Sequence, residues 1–307
     1  CDIVGTGGDS HNTFNVSTTS SILASALLLI SKHGNRASTS RSGSADLLHS
    51  VMPVPPNLAA ITSQRISHIY TQSNYAFLPA PNFHSGMKYV APIRKDLGWR
   101  TIFNLLGPLS NPVERIIEAR VIGVAQKDIG PVFAEALKIQ GARKALIVCG
   151  AEDLDEISCA GKTYCWKLGS TCDSPGNTLG DITIENFTLS PLDFGLPSHS
   201  LESVSPGKEP HENAEILMKI LQNQMPPDDP ILHFVLMNVS ALLVISGICE
   251  ADSSHMGYGD DGIIISERGP GAGRWKEGVR RARWAIESGE AWRQWRNFVQ
   301  ASNSFLP

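Results

Sequence analysis

Four stretches of this chain gather the residue types that hold phosphate and a divalent cation. The first, "GTGGDSHNTFNVST" (Gly5 to Thr18), sets glycines between a short apolar run and a longer run of apolar and small residues. A tight turn there aims backbone N–H groups and the positive end of a helix dipole at one point, which suits an anion. Its spacing is neither GxGxxG nor GxxxxGK followed by Ser or Thr, so a dinucleotide or Walker-type nucleotide fits poorly. Taken alone, the turn is equally compatible with a purely structural role. Asp9, Thr13, Asn15, Ser17 and Thr18 tip the balance by adding carboxylate, amide and hydroxyl groups at the helix entrance.

The second stretch, "KHGNRASTSRSGSAD", places Lys32, His33, Asn35, Arg36 and Arg41 among Ser38, Thr39, Ser40, Ser42 and Ser44. Cations supply charge, hydroxyls supply donors, and small residues let phosphate oxygens approach the backbone. A solvated basic loop would not need so many small donors, so phosphate binding is the better reading. A third stretch, "FHSGMKYVAPIRKDLGWRTIFNLLGPLSNP", carries His84, Lys88, Arg94, Arg100 and Asn104, although its cations are also compatible with simple exposure. The fourth is "EDLDEIS". Its adjacent Asp155 and Glu156 follow the apolar run "ALIVC", at the strand end where open α/β sheets place ligands. Facing basic phosphate loops, such a pair suits Mg²⁺, which bridges one or two carboxylates to substrate phosphates and keeps waters. No Ser-His-acid order, catalytic-cysteine signature or HExxH run is present. The chemistry indicated is the holding of a phosphorylated substrate and a divalent cation, more than nucleophilic catalysis by the protein.

These stretches need a scaffold, and the pattern of the chain supplies one. "DIV" before Gly5 reads as a short buried parallel strand, and a helix is expected from about Val16 to Ser31, capped by Asn15 or Ser17. A second Gly/Ser/Thr loop then leads into a helix from Ala45. Further strands are expected over 118–125, 144–150, 156–168 and 180–189, with an amphipathic helix closed by Gly141 between the first two. Strands alternating with helices predict an α/β fold with a mostly parallel central sheet covered by helices on both faces. Residues 190–210 read as loop. "ENAEILMKILQNQ" and "PILHFVLMNVSALLVISGIC" read as helices, the second apolar nearly all round and therefore buried. "DSSHMGYGDDGIIISERGPGAG" reads as an unpatterned surface insertion. One long amphipathic helix is expected at the end, its tryptophans packing rather than stacking on bases.

Composition sets the outer limits. The chain has 307 residues, 42% hydrophobic and 18% charged, enough for one large domain or two small ones. Its longest apolar runs fall far short of the ~18 residues a membrane span requires, and no cleavable leader is evident; an intracellular, cytoplasmic protein is expected. Six cysteines without CxxC spacing argue against a zinc ribbon or a disulfide framework, so they are read as reduced. A net charge of −4 gives nucleic acid no global attraction. The charge is uneven, however: ten Lys and Arg stand against six Asp and Glu through residue 120, and 16 against 24 thereafter. The chain opens on Cys with a strand and loop within five residues, so an upstream segment is expected.

With these stretches together, the sequence resembles the anthranilate phosphoribosyltransferases, pentosyltransferases of tryptophan biosynthesis. "GTGGD", "FNVST", "KHGNR", "SGSAD", "RTIFNLLGPLSNP" and "LDEIS" are similar to that family's signature runs, in the same order. The likeness runs from about residue 3 to 303, leaving 255–273 outside it. It implies the nucleoside phosphorylase/phosphoribosyltransferase catalytic fold over the whole of 1–307. It also implies that Gly5 touches anthranilate, and that Gly8, Asp9, Thr13, Asn15, Val16, Ser17 and Thr18 hold phosphoribosyl pyrophosphate. Lys32, His33, Gly34, Asn35, Arg36, Ala37, Ser38, Thr39 and Ser40, with Ser44, would close over the phosphates, Lys32 and Arg36 supplying electrostatic stabilisation. Asn35, His84, Arg94 and Pro108 would line the aromatic acid's tunnel, and Ser17, Asp155 and Glu156 would serve Mg²⁺. No general base is assigned.

Two departures from the family stand out. "HSGMK" replaces a Pro-containing run after the tunnel histidine, and the 307 residues are expected to lack the family's amino-terminal helical domain, which carries its dimer interface. Residues of about 98–112 would join that domain, and a homodimer is expected of a complete family member. A pyrimidine nucleoside phosphorylase is the alternative enzyme, against which "KHGNR" and the paired acids weigh; a non-catalytic nucleic-acid-binding relative is the alternative of another class.

Overall fold

The computed structural model describes residues 1–37, 43–97, 101–170, 182–205 and 209–305. Strand β1 (Asp2–Gly5) leads through the first glycine loop into α1 (Val16–Ala24), then β2 (Ile30–Gly34), α2 (Ser44–His49) and α3 (Ile66–Gln72). Next come β3 (Tyr75–Pro79), α4 (Ala80–Phe83), α5 (Met87–Leu97), α6 (Ile102–Leu106) and β4 (Ala119–Gly123). They are followed by α7 (Gly130–Ile139), β5 (Lys144–Gly150), β6 (Thr163–Ser170) and β7 (Ile182–Leu189). Four helices complete the chain: α8 (Pro210–Leu221), α9 (Pro230–Ser246), α10 (Trp275–Glu287) and α11 (Glu290–Asn303).

The central sheet runs β1-β4-β5-β6-β7. Strands β1, β4 and β5 are parallel, and β6 and β7 extend the sheet as an antiparallel wing. Strands β2 and β3 form a second, parallel pair, joined to the first sheet where Ser31 N donates to Cys1 O at 2.9 Å. Side chains alternate across the sheet as a two-residue period requires. Ile3, Val121, Leu146 and Val148 enter the large core with α1, α9 and α10, whereas Ile122, Ala145 and Ile147 meet Phe133, Ala134 and Leu137 of α7. The result is the expected α/β architecture, a mostly parallel sheet with helices on both faces. Helix α9 is buried from Ile231 through Ile245, as its all-round apolar sequence demands. Asp229 caps it, accepting from Ile231 N at 2.8 Å and Leu232 N at 3.1 Å.

Several elements differ from the sequence expectation. Helix α1 stops at Ala24 rather than Ser31, and residues read as the start of a loop form β2, whose Lys32 and His33 hide its strand character. Strand β3 has no counterpart in the sequence reading. Strand β6 starts at Thr163, since 156–162 turn back on themselves. The single carboxyl-terminal helix is two, broken where Gly289 takes a left-handed φ of 74°. Trp284 and Trp295 are buried, as packing residues should be. All described cysteines are free thiols. Among the described residues no helix is long and apolar enough to cross a membrane.

Candidate active site

A cavity of about 470 Å³ opens where the carboxyl ends of β1, β2 and β3 meet the loop after β5. Gly5, Gly8, Asp9, Thr13, Asn15, Ser17, Lys32, His33, Gly34, Asn35, Arg36, Ala37, Ser44, His84, Pro108, Asp155 and Glu156 line it. Two expected residues do not. Val16 points into the core, and Thr18 is wholly buried, contributing its backbone N–H to the Asn15 cap at 3.4 Å. Ser38, Thr39 and Ser40, with Arg41, Ser42 and Arg100, lie outside the described residues; Arg94 lies on α5, and its side chain is likewise outside the description, as is that of Lys88.

The first loop is built to expose N–H groups. Gly7 and Gly8 adopt successive left-handed conformations, with φ of 68° and 73°, and Ser10 follows at 65°. Such a concave turn is an anion nest. Helix α1 begins just beyond, its amino terminus directed at the same space. The loop also organises the acids opposite it: Gly7 N donates to Asp155 Oδ2 at 2.5 Å. Gly5 and Gly123, register partners at the ends of β1 and β4, leave the room Asp155 occupies. A Cβ at Gly5 would strike its carboxylate, and one at Gly123 its main-chain carbonyl. Gly5 therefore has a packing duty that the sequence does not suggest.

Asp9, Asp155 and Glu156 converge. Asp155 is 8% exposed; burial first, then the neighbouring Asp9, pushes its carboxyl up to about 7. Glu156 is raised well above the usual carboxylate range by burial, then by Asp155 and Asp9; Lys32 and a backbone hydrogen bond from Ser17 oppose the shift. Glu156 Oε2 is buried with no hydrogen-bond partner. Clustered, desolvated carboxylates with an unused oxygen fit a hard divalent cation that completes its shell with waters and phosphate oxygens. Among the described residues no three His, Cys, Asp or Glu side chains are grouped to hold a metal unaided. The set therefore suits a cation that arrives with its phosphorylated ligand.

Lys32 is not the loop cation that the sequence suggests. It sits on β2, 1% exposed, and its Nζ donates to Ile3 O at 2.7 Å. Burial lowers its pKa, while Asp2, Glu156 and Asp155 oppose that shift. Its charge acts from behind the acids. Arg36, by contrast, has a side chain 71% exposed, 4.0 Å from Asp46. Asp46 is a residue that sequence reasoning leaves without a role. Its Oδ2 accepts from both Ala37 N at 2.8 Å and Gly43 N at 3.1 Å, drawing together the two ends of the hydroxyl-rich loop.

The other end of the cavity is aromatic. His33 and His84 meet edge to face at 5.0 Å, and neither Nε2 has a partner. Burial, then His84 and Lys32, lowers the His33 pKa to about 4, so its ring is neutral at pH 7. Phe103, Gly107 and Pro108 continue this wall from α6 and the turn after it. Asn213 reaches in from α8, its Oδ1 accepting from Asn15 N at 3.0 Å. Its contribution spans 198 residues of sequence, a separation that local motifs do not encode.

Comparison with known proteins places this geometry. Residues 1–292 match the family described as glycosyl transferase family, a/b domain. The chain is 45% identical over 302 residues to an anthranilate phosphoribosyltransferase of Schizosaccharomyces pombe, covering 98% of this chain and 74% of the relative. The Saccharomyces cerevisiae anthranilate phosphoribosyltransferase solved with PRPP and Mg superposes with a TM-score of 0.81 at 35% identity, over 99% of this chain and 74% of that one. The same yeast enzyme in complex with 4-fluoroanthranilate gives 0.78 at 33% identity, over 99% and 73%. A cavity with an anion nest, paired acids and an aromatic wall, in a chain this similar over nearly its whole length, belongs to the anthranilate phosphoribosyltransferase family.

Proposed function

We propose that this cavity transfers the 5-phosphoribosyl group of phosphoribosyl pyrophosphate to the amine of anthranilate, as a step of tryptophan biosynthesis in the cytoplasm. The products are N-(5-phosphoribosyl)anthranilate and pyrophosphate. One observation carries the reading: an anion nest facing an acid pair at one end of a cavity whose other end is an aromatic wall containing the neutral His33. The phosphorylase and nucleic-acid-binding alternatives gain nothing from relatives that bear the transferase name.

In this reading the phosphates rest on the N–H groups of Gly8 and Asp9 and on the amino terminus of α1 at Asn15 to Ser17. Ser44, Asn35 and Arg36 close the opposite side, with Ser38, Thr39 and Ser40. Ser17, Asp155 and Glu156, with Asp9 beside them, hold Mg²⁺, which when bound neutralises the charge that develops on departing pyrophosphate. The bond from ribosyl C1 to pyrophosphate breaks with its electron pair going to oxygen; the amine lone pair forms the C1–N bond, and nitrogen then sheds a proton. The protein's share is orientation and electrostatic stabilisation of an oxocarbenium-like centre. Gly5, Asn35, His84 and Pro108 orient the aromatic acid, and Arg94 pairs with its carboxylate.

Loss of anthranilate fluorescence on mixing with phosphoribosyl pyrophosphate tests the proposal directly. Turnover is expected with Mg²⁺ and its collapse in chelator; base release from a nucleoside with inorganic phosphate, without anthranilate consumption, would overturn it. Arg94→Ala should raise the anthranilate KM about tenfold, in line with a charge-assisted hydrogen bond of roughly 1.5 kcal/mol, while the phosphoribosyl pyrophosphate KM holds. Unchanged anthranilate kinetics would remove Arg94 from the tunnel.

The apolar face of α5 and α6 supports a further reading of domain organisation. Tyr89, Ile93, Leu97, Ile102 and Leu106 are 42–70% exposed, a concentration that marks an interaction surface. We assign this face, with residues 98–112, to packing against a helical domain in a homodimeric protein; 1–307 is then the catalytic domain. Residues 255–273 form its surface insertion, where Tyr258 is 94% exposed.

A further inference from the structure

The candidate active site occupies the carboxyl ends of the strands. At the opposite end, where β4 and β5 begin, a second cavity of about 390 Å³ is bounded by residues 114–118, Arg120 and 140–143. About 10 Å of strand separates the two ends of β1. Three arginines meet at this second cavity: Arg115 and Arg143 are exposed at its rim, and Arg120 is 3% exposed at its base.

Arg120 is unusual among the buried charges. Among the described residues its guanidinium makes no hydrogen bond and no ion pair within 4.0 Å, and Nη1 is sealed from solvent without an acceptor. Guanidinium does not shed its proton in a protein, so burial leaves a whole charge to be compensated. An unpaired buried charge is costly. The acids around it do not satisfy it. Asp2, its register partner on β1, and Glu114 attract it only through space. Asp2 Oδ2 accepts from Asn111 Nδ2 at 2.8 Å while its Oδ1 is buried without a hydrogen-bond partner and out of bonding reach of the guanidinium, and Glu118 is taken by Lys144 at 2.8 Å.

We propose that this cavity binds a small organic oxyanion, a carboxylate or a phosphate ester, with Arg120 as the buried anchor and Arg115 and Arg143 as its rim. With Nη1 sealed, the Nε and Nη2 edge of the planar guanidinium is what the cavity can reach, and it matches either headgroup through paired N–H donors. The volume exceeds what a bare phosphate fills, which leaves space for an organic body beside the charged head. Nothing in the transferase reaction uses this end of the sheet, so the site is separate from the candidate active site.

The test is thermal melting of the chain against two probes, succinate and inorganic phosphate, at constant ionic strength. Wild type, Arg120→Met and the double variant Arg115→Ala/Arg143→Ala are compared. Any phosphate taken by the active-site nest is common to all three, so the difference between them reports on the second cavity. The expected result is saturable stabilisation of wild type by at least one probe, lost in Arg120→Met and shifted at least tenfold to higher concentration in the rim variant. The responding probe distinguishes carboxylate from phosphate recognition. Equal responses of all three proteins to both probes would overturn the site. Should Arg120→Met fail to fold, the rim variant decides alone, since its residues are exposed.

Discussion

Two acidic clusters in this molecule have opposite fates. Glu277, fully buried on α10, is answered on both oxygens: Oε1 accepts from Arg280 and Arg281 at 2.7 Å each, and Oε2 from Ile265 N at 2.9 Å and Arg280 Nε at 2.8 Å. Asp260 joins it through Arg280 Nη1 at 3.0 Å; against burial, Met256 N, Ser254 and Arg280 bring the Asp260 carboxyl down to about 2, and Arg280, Ile265 N and Arg281 lower that of Glu277. Asp155, 8% exposed, and Glu156, half-buried, have the reverse outcome: like charges beside them, raised pKa values and an oxygen left unused. The first cluster is finished by the protein and ties an irregular segment to a helix. The second is left for a ligand to finish.

Breaking the finished cluster should have the largest effect. Glu277→Gln leaves two arginines short of a counter-charge, and is expected to cost about 3–5 kcal/mol of stability, read by urea unfolding, with KM values unchanged in protein that remains folded. A loss below 1 kcal/mol would mean that the network is decorative. Asp155→Asn with Glu156→Gln should do the opposite: turnover falls roughly 10²–10³-fold, the scale of removing transition-state electrostatic stabilisation, while metal-free stability does not fall. A wild-type Mg²⁺ response in this variant would dissolve the contrast. Gly123→Ala lies between them, since its Cβ would displace the Asp155 carbonyl. It should cost about 1–3 kcal/mol as overpacking does and raise the Mg²⁺ concentration needed for half-maximal turnover; intact metal dependence would show that the acid pair tolerates the shift.

The smallest effect is on pH dependence, and its sign separates the clusters. Between the ordinary value of 3.8 and about 7, folded Asp155 retains a proton that the unfolded chain has released. Its contribution to stability is therefore greatest at the acidic end and declines as pH rises through that window. Each such group tilts the curve by at most about 1.4 kcal/mol per pH unit. Asp260 does the reverse, its contribution complete above 3.8 and lost as pH falls toward about 2. In chelator, Asp155→Asn/Glu156→Gln should gain melting temperature relative to wild type between pH 5 and pH 8, and Mg²⁺ should narrow that gap. A difference independent of pH would contradict the raised carboxyls.

The same contrast explains what could be read in the sequence. Glycine-rich and hydroxyl-rich loops announce themselves because phosphate geometry demands small residues and donors in succession; "GTGGD", "SGSAD" and "LDEIS" were therefore legible, as were strands β1, β4 and β5. Strand β2 was not, because Lys32 and His33 interrupt its apolar pattern with side chains buried for the site's sake. Asp46 and Asn213 escaped for another reason: each acts through backbone N–H groups of a different element, one of them 198 residues away. Residues 255–273 look unpatterned because their order comes from Glu277 and Arg280 on α10, and no local period records that.

The glycine pair at the ends of β1 and β4 also constrains how this site is free to change. Both positions guard the same aspartate, one its side chain and the other its carbonyl. Substitutions there share a single displacement, so their costs are not independent. A smaller residue at position 155 removes the carboxylate a Gly5 Cβ would strike, leaving only a tight 3.2 Å approach to the Asp155 carbonyl oxygen, and leaves the clash at Gly123 intact. Of the two glycines, only Gly5 has an escape by compensation; Gly123 is fixed by the path of the main chain itself.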